Sequence, residues 1–215
     1  MTFKIKIFTL LFSISSQLFA QSDVESKKIL SALSKKFKTY DVVKTDFTLS
    51  INNAETKTKE SQSGILYLKS KTNKYKIILA EQEIISDGKN LWTFLKNDNE
   101  VQLSTVSKDE NTLNPAQLFT AYEKGYKSRF IGESNAGGKS YQNIELVPLA
   151  DKSFSKIKMT IDKKQNQIYS LAVYDKSATI YLYTVKKLIS LKDINDSFFT
   201  FEKKNYPKVD IQDLR

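Results

Sequence analysis

The chain has no cysteine and no histidine. The first absence excludes disulfides, thiolate metal sites and cysteine nucleophiles. It also excludes the acylated N-terminal cysteine that anchors a bacterial lipoprotein. The second removes the commonest general base and the commonest metal ligand. Zinc-type sites and most nucleophile–base pairs go with them. Ser63-Gly64 and Gly137-Gly138-Lys139-Ser140 lack the G-x-x-x-x-G-K-[ST] spacing of a phosphate loop, and both fall between strand patterns. Carboxylates exist, but Glu81 and Glu83 sit at an expected turn, and Asp109 and Glu110 in a polar loop. Solvated surface is the ordinary condition of such groups. Neither catalysis nor a cofactor is expected. No segment after residue 20 is long and apolar enough to cross a bilayer, which takes about 20 apolar residues.

The first twenty residues have the layout of a secretory signal peptide. Lys4 and Lys6 form a basic start, Ile7 to Ile14 an apolar run, and Leu18-Phe19-Ala20 ends on a small residue before Gln21. An uncleaved anchor or a buried N-terminal helix is the alternative. Leu18 stands where a small residue is preferred. We therefore expect a leader over 1–20 and one domain over 21–215, large enough for a sizeable core. Losing Lys4 and Lys6 takes the formal charge from +10 to +8. That excess favours anionic partners. The lysines, however, are scattered singly along alternating strands, as on a solvated outer face. Nothing beyond charge points to nucleic acid, and export argues against it.

What is present is mainly strand. Residues 22–39 read as an amphipathic helix capped by Ser22 or Asp23, with Ser22 and Glu25 as a capping box. Ile29, Leu30, Leu33 and Phe37 form its apolar face. After Tyr40 the period drops to two: Val43, Phe47, Leu49 and Ile51 share a phase broken by Thr45. Strand patterns follow at 65–69, 74–80, 83–86, 90–95 and 101–106, with Asp87-Gly88 and Asn97-Asp98-Asn99 as turns. Asn114-Pro115 starts a second short helix carrying Leu118, Phe119 and Tyr122, closed by Gly125. Strands resume at 128–134, 140–147, 155–162, 167–174 and 178–186, and a last short one is expected over Phe198 to Phe201. About ten or eleven antiparallel strands must curl, close or pack on themselves. The 13 Phe and 11 Tyr concentrate in strands, where aromatics are favoured anyway. Whether the interior is filled or hollow stays open.

One stretch carries a resemblance. Gly64-Ile65-Leu66-Tyr67-Leu68-Lys69, then Lys74-Tyr75-Lys76, then Ile85-Ser86-Asp87-Gly88-Lys89-Asn90-Leu91-Trp92-Thr93-Phe94, then Glu100-Val101 is similar to the centre of the LolA family of periplasmic lipoprotein carriers. Lys44-Thr45-Asp46-Phe47 resembles the family's first strand. Phe199-Thr200-Phe201 and Asn205-Tyr206-Pro207 through Asp213-Leu214-Arg215 resemble its ending in carriers from Bacteroidetes-type bacteria. The resemblance implies a mainly β fold with helical insertions: an unclosed antiparallel β-barrel of about 11 strands over an amphipathic helical lid. It implies a periplasmic chaperone that takes acylated lipoproteins from an inner-membrane ABC-type release complex to an outer-membrane acceptor. A monomer is expected. Strand phase, and for 65–68 the resemblance alone, puts Phe47, Leu49, Leu66, Leu68, Tyr75, Ile77, Leu79, Trp92, Phe94, Ile157, Met159 and Ile161 on the inward, lipid-binding face. The lid would be 22–39 and 114–124. Many family members carry an Arg-Pro pair after the Gly-led strand, whose arginine ties the sheet to the lid. Here Lys69-Ser70-Lys71 stands instead, and a lysine lacks the forked donor geometry. A second reading, from another class, is an envelope sensor or structural protein using the same half-barrel to bind a lipid signal or a protein partner.

Overall fold

The computed structural model describes residues 12–107, 125–192 and 194–215. Helix α1 spans Phe12–Phe37. In the full chain it is already formed at Phe12, so Ser22 and Asp23 are interior positions there; the expected cap concerns the chain without residues 1–20. Residues 12–21 contain neither glycine nor proline, so nothing stops a helix propagating through them. Ile29, Leu30, Leu33 and Phe37 are buried, and Lys27, Lys28 and Lys35 are exposed. Each such buried apolar side chain stabilises by about 1.5–3 kcal/mol. Lys35 and Lys36 in the last turn complement the helix dipole. The Ser26 hydroxyl lies 2.9 Å from that of Ser128 in a buried contact that ties the helix to the sheet. The second expected helix, with Leu118, Phe119 and Tyr122, lies outside the described residues.

The strands form one twelve-stranded sheet. The first six are β1 (Val42–Asn53), β2 (Thr58–Lys69), β3 (Lys74–Ile78), β4 (Gln82–Ser86), β5 (Asn90–Leu95) and β6 (Glu100–Thr105). The others are β7 (Tyr126–Ala136), β8 (Lys139–Pro148), β9 (Phe154–Asp162), β10 (Gln167–Asp175), β11 (Thr179–Leu191) and β12 (Asp210–Asp213). Their spatial order is β12-β6-β5-β4-β3-β2-β1-β11-β10-β9-β8-β7. Two meanders are thus joined by the long β1–β11 ladder, which runs from Val42↔Leu191 to Asn53↔Thr179 with a bulge at Asp46/Phe47. β7 and β12 end the sheet and do not pair with each other, so the barrel is unclosed. Turn chemistry follows the sequence. Asp87 Oδ1 accepts from the backbone of Lys89 (2.8 Å) and Asn90 (2.7 Å), and Gly88 takes φ +91°. Asn99 and Asn166 also sit at positive φ.

One face of the sheet is concave against α1. It holds the main apolar cluster, in which Val43, Leu66, Leu68, Tyr75, Ile77, Ile144, Leu146, Ile157, Met159, Ile161, Leu171 and Val173 are buried together with the helix residues. The opposite face of β4–β6 is covered too, by the chain after β11. There Ile85, Trp92, Val101 and Val209 form a second cluster with Phe94, Leu103, Phe201, Tyr206 and Ile211 packed around it.

That C-terminal strap departs from expectation in two ways. Residues 196–199 are a 3-10 turn rather than a strand: Asn195 caps it by accepting from Ser197 N at 2.9 Å, and Phe199 is fully buried. Beyond Pro207 the chain adds β12, which pairs with β6 in parallel, so the sheet is not wholly antiparallel. Asp196 clamps the strap by accepting from Lys69 (2.8 Å) and Lys74 (2.6 Å). Lys69 therefore holds the strap, with no bond to α1 among the described residues, and Lys71 is exposed.

The two lysine hydrogen bonds pull the Asp196 carboxyl down to about 2 from an ordinary 3.8. Because the folded value is the lower one, the clamp contributes fully above the unfolded value and is lost as pH falls from 3.8 through about 2. Trp92, the sole tryptophan, reports on the strap from beneath it. Its emission should shift across this acid window, and Asp196→Asn should remove that shift. Identical acid titrations in parent and variant would refute the clamp.

Candidate functional site

Where β2 outruns β3, the concave face opens. The β2–β3 ladder stops at Ile65↔Ile78, whereas β2 stays paired with β1 down to Thr58. Residues 58–64 consequently pair with β1 on one side and with no described strand on the other. The turn between β3 and β4 closes the far side. Leu79 N donates to Gln82 O at 2.9 Å, Lys96 N to Glu81 O at 2.9 Å, and Lys96 Nζ to Leu79 O at 2.7 Å.

Behind this opening lies a chamber of about 180 Å³. Its wall is Phe47, Leu49, Leu66, Ile77, Leu79, Ile84, Tyr183 and Val185, with Gln62 and Gln82 at its outer end. Register explains the convergence. On one face, Phe47 lies opposite Val185 and Leu49 opposite Tyr183, while Leu66 lies opposite Ile77 and Ile77 opposite Ile84. Burial pushes the Tyr183 hydroxyl up to about 12, with Tyr181 adding to the shift, so the wall is uncharged. An apolar cavity of about 150 Å³ already stays dry and takes up benzene; this one is large enough for a length of hydrocarbon. Leu49, Gln62, Leu79 and Gln82 also line a second cavity of about 650 Å³, bounded by Glu60, Glu81, Asn97 and Asp98. The two cavities share these four lining residues, so an apolar inner chamber adjoins a polar mouth.

Gly64 makes the chamber possible. It faces Phe47 across the β1–β2 ladder. A Cβ at this position would stand 2.6 Å from Leu79 Cδ2, 2.8 Å from Phe47 Cζ and 3.0 Å from Ile78 O. The glycine is required by close approach.

Of the residues expected on the inward face, Phe47, Leu49, Leu66, Ile77 and Leu79 meet in the chamber wall. Leu68, Tyr75, Ile157, Met159 and Ile161 lie on the same face but in the filled part of the cluster. Trp92 and Phe94 must be corrected. Trp92 pairs with Ile85 and Phe94 with Glu83, which puts both on the opposite face, under the strap. In Leu91-Trp92-Thr93-Phe94-Leu95 both phases are apolar because both faces are covered, and aromatic bulk is no guide to the inward one. Ile84 escaped sequence reasoning for the same reason, and in β11 both phases carry apolar residues, Ile180 and Leu182 against Tyr181, Tyr183 and Val185, so alternation does not single out Tyr183 and Val185. Glu83, expected at a solvated turn, lies within β4, 3.1 Å from Lys76 Nζ and 3.2 Å from the Tyr206 hydroxyl. Lid residues Ile29, Leu30, Leu33 and Phe37 pack into the main cluster.

The concave side of this open half-barrel thus holds a chamber with an aliphatic and aromatic wall. Sequence comparison places it more closely. The family model for the outer membrane lipoprotein carrier protein LolA matches residues 38–202, and the chain belongs to that family. An outer-membrane lipoprotein carrier protein from Histophilus somni strain 2336 is 25% identical over 185 residues, covering 84% of this chain and 86% of that protein. An uncharacterized conserved protein from Thermus thermophilus shares the fold at TM-score 0.55 and 12% identity, covering 88% of this chain and 99% of that one. Among the described residues no helix is long and apolar enough to cross a membrane.

Proposed function

We propose that this chain is a periplasmic lipoprotein carrier. After loss of the leader over 1–20, it binds the acyl chains of lipoproteins in the concave chamber, receives them from an inner-membrane ABC-type release complex and hands them to an outer-membrane acceptor. The observation that carries the reading is the chamber of about 180 Å³ with a wall of aliphatic and aromatic side chains, adjoining a polar mouth. Hydrocarbon in water costs about 0.8 kcal/mol per CH₂, so a partly filled apolar hollow offsets that cost for each methylene it covers. Release demands an adaptable hollow with few polar anchors, and the wall is aliphatic and aromatic, with Gln62 and Gln82 at its outer end and the Tyr183 hydroxyl its one other polar side-chain group. The face that binds lipid is Phe47, Leu49, Leu66, Ile77 and Leu79 from the expected set, joined by Ile84, Tyr183 and Val185. The apolar side of α1 acts as the lid.

Purification from the native envelope followed by mass spectrometry tests the assignment. Acylated lipoproteins should co-purify. A defined protein partner without acylated cargo would instead select the sensor reading.

A further inference from the structure

We infer that the mouth selects cargo by charge: it favours an acyl chain whose attached polypeptide carries positive charge next to the lipid, and disfavours anionic amphiphiles. This rests on the carrier reading and names the class of cargo for the same site.

The chain is strongly basic, with 34 Lys and Arg against 24 Asp and Glu. The mouth has the opposite sign. Glu60, Glu81 and Asp98 line it, and no described lysine or arginine does. None of these three carboxylates has an ion-pair partner among the described residues. Among the described residues, two lysines next to the lining in sequence are turned away or committed. Lys59 alternates to the other face of β2, opposite Asn52. Lys96 donates to the Leu79 carbonyl at 2.7 Å and stands 3.9 Å from Glu83, whose register places it on the opposite face.

Geometry makes the rim effective. Leu49, Gln62, Leu79 and Gln82 belong to both cavities, so a chain held in the inner chamber can leave its head among the three carboxylates. The three carboxylates are exposed, so they act on a charged head at short range and most strongly at low ionic strength. The long-range field of a basic protein draws anions, whereas the rim repels an anionic head at the point of entry. Anionic phospholipids and free fatty acids, which share the acyl chain, are disfavoured there. A lipidated polypeptide with a free α-ammonium, or with lysine or arginine just after the acylated residue, is matched.

Three short lauroylated, fluorescently labelled peptides test this, differing only in two lysines, two serines or two glutamates after the acylated residue. Fluorescence anisotropy at low ionic strength measures their affinities for the full protein. The lysine peptide should bind on the order of tenfold more tightly than the glutamate peptide, with serine between. In the triple variant Glu60→Gln/Glu81→Gln/Asp98→Asn the ranking should collapse to within about twofold, and an unchanged affinity for the serine peptide shows that the chamber is intact. A parent that binds the glutamate peptide equally or better, or a ranking that survives in the variant, overturns the selective mouth and leaves the carrier reading standing. Failure of all three peptides to bind the parent overturns both.

Discussion

Leu79→Asn is expected to abolish binding of a fluorescent acyl probe while lowering the melting temperature by only about 2–8 °C, the shift that corresponds to about 1–2 kcal/mol in a domain of this size. Leu79 stands where the chamber meets the mouth, flanked by Gln62 and Gln82, so an amide there finds water and polar neighbours. Met159→Asn gives the contrast. Met159 is 1% exposed in the filled part of the same cluster, and its replacement combines a cavity with an unpaired buried amide. A loss of about 3–5 kcal/mol, enough to threaten folding, is expected. Phe94→Asn serves as a third arm. It faces Tyr206 at 4.8 Å between ring centroids, beneath the strap, and should cost stability while sparing the probe. Circular dichroism melts and probe titrations on the same preparations separate the three. If Leu79→Asn behaves like Met159→Asn, the chamber is ordinary packed core.

Gly64→Leu should have the other large effect, by pushing the neighbouring Leu79 and Phe47 side chains into the hollow. Even a methyl group at this position meets Leu79, Phe47 and the Ile78 carbonyl at or inside 3.0 Å. Two of those contacts are side-chain ends that can swing, and a leucine would push them into the chamber. Overpacking of this kind costs about 1–3 kcal/mol, and acyl-probe affinity should fall at least tenfold in a variant that still folds. Gly64→Ala should give a graded version, with partial loss. A folded Gly64→Leu protein that binds the probe as the parent does would show that hydrocarbon sits elsewhere.

The β-rich architecture was legible because period-two alternation and turn residues are local signals. Asp87-Gly88, Asn97-Asp98-Asn99 and Gly137-Gly138 mark hairpins that the register confirms. The concave face was legible where one strand face is polar, as in Lys74-Tyr75-Lys76-Ile77. It was illegible where both faces are buried. β4 and β5 are covered by the main cluster on one side and the C-terminal strap on the other, so Trp92 and Phe94 read inward although register turns them outward. Nothing local reveals that a strap of residues 194–214 will cover that face. Its ties are long-range: Asp196 to Lys69 and Lys74, Tyr206 to Glu83, and β12 to β6. The mouth is likewise a product of unequal strand lengths, since β2 continues where β3 has turned back.

Photocrosslinking with a lauroylated peptide bearing a diazirine near the end of its acyl chain tests the central claim most directly. After irradiation, digestion and mass spectrometry, adducts should fall on the β1, β2, β3, β4 and β11 peptides that carry Phe47, Leu66, Ile77, Ile84 and Tyr183, and an unlabelled acyl competitor should suppress them. Adducts confined to the strap side, on Trp92, Phe94 or Tyr206, or spread over the surface and insensitive to the competitor, would contradict a concave lipid chamber.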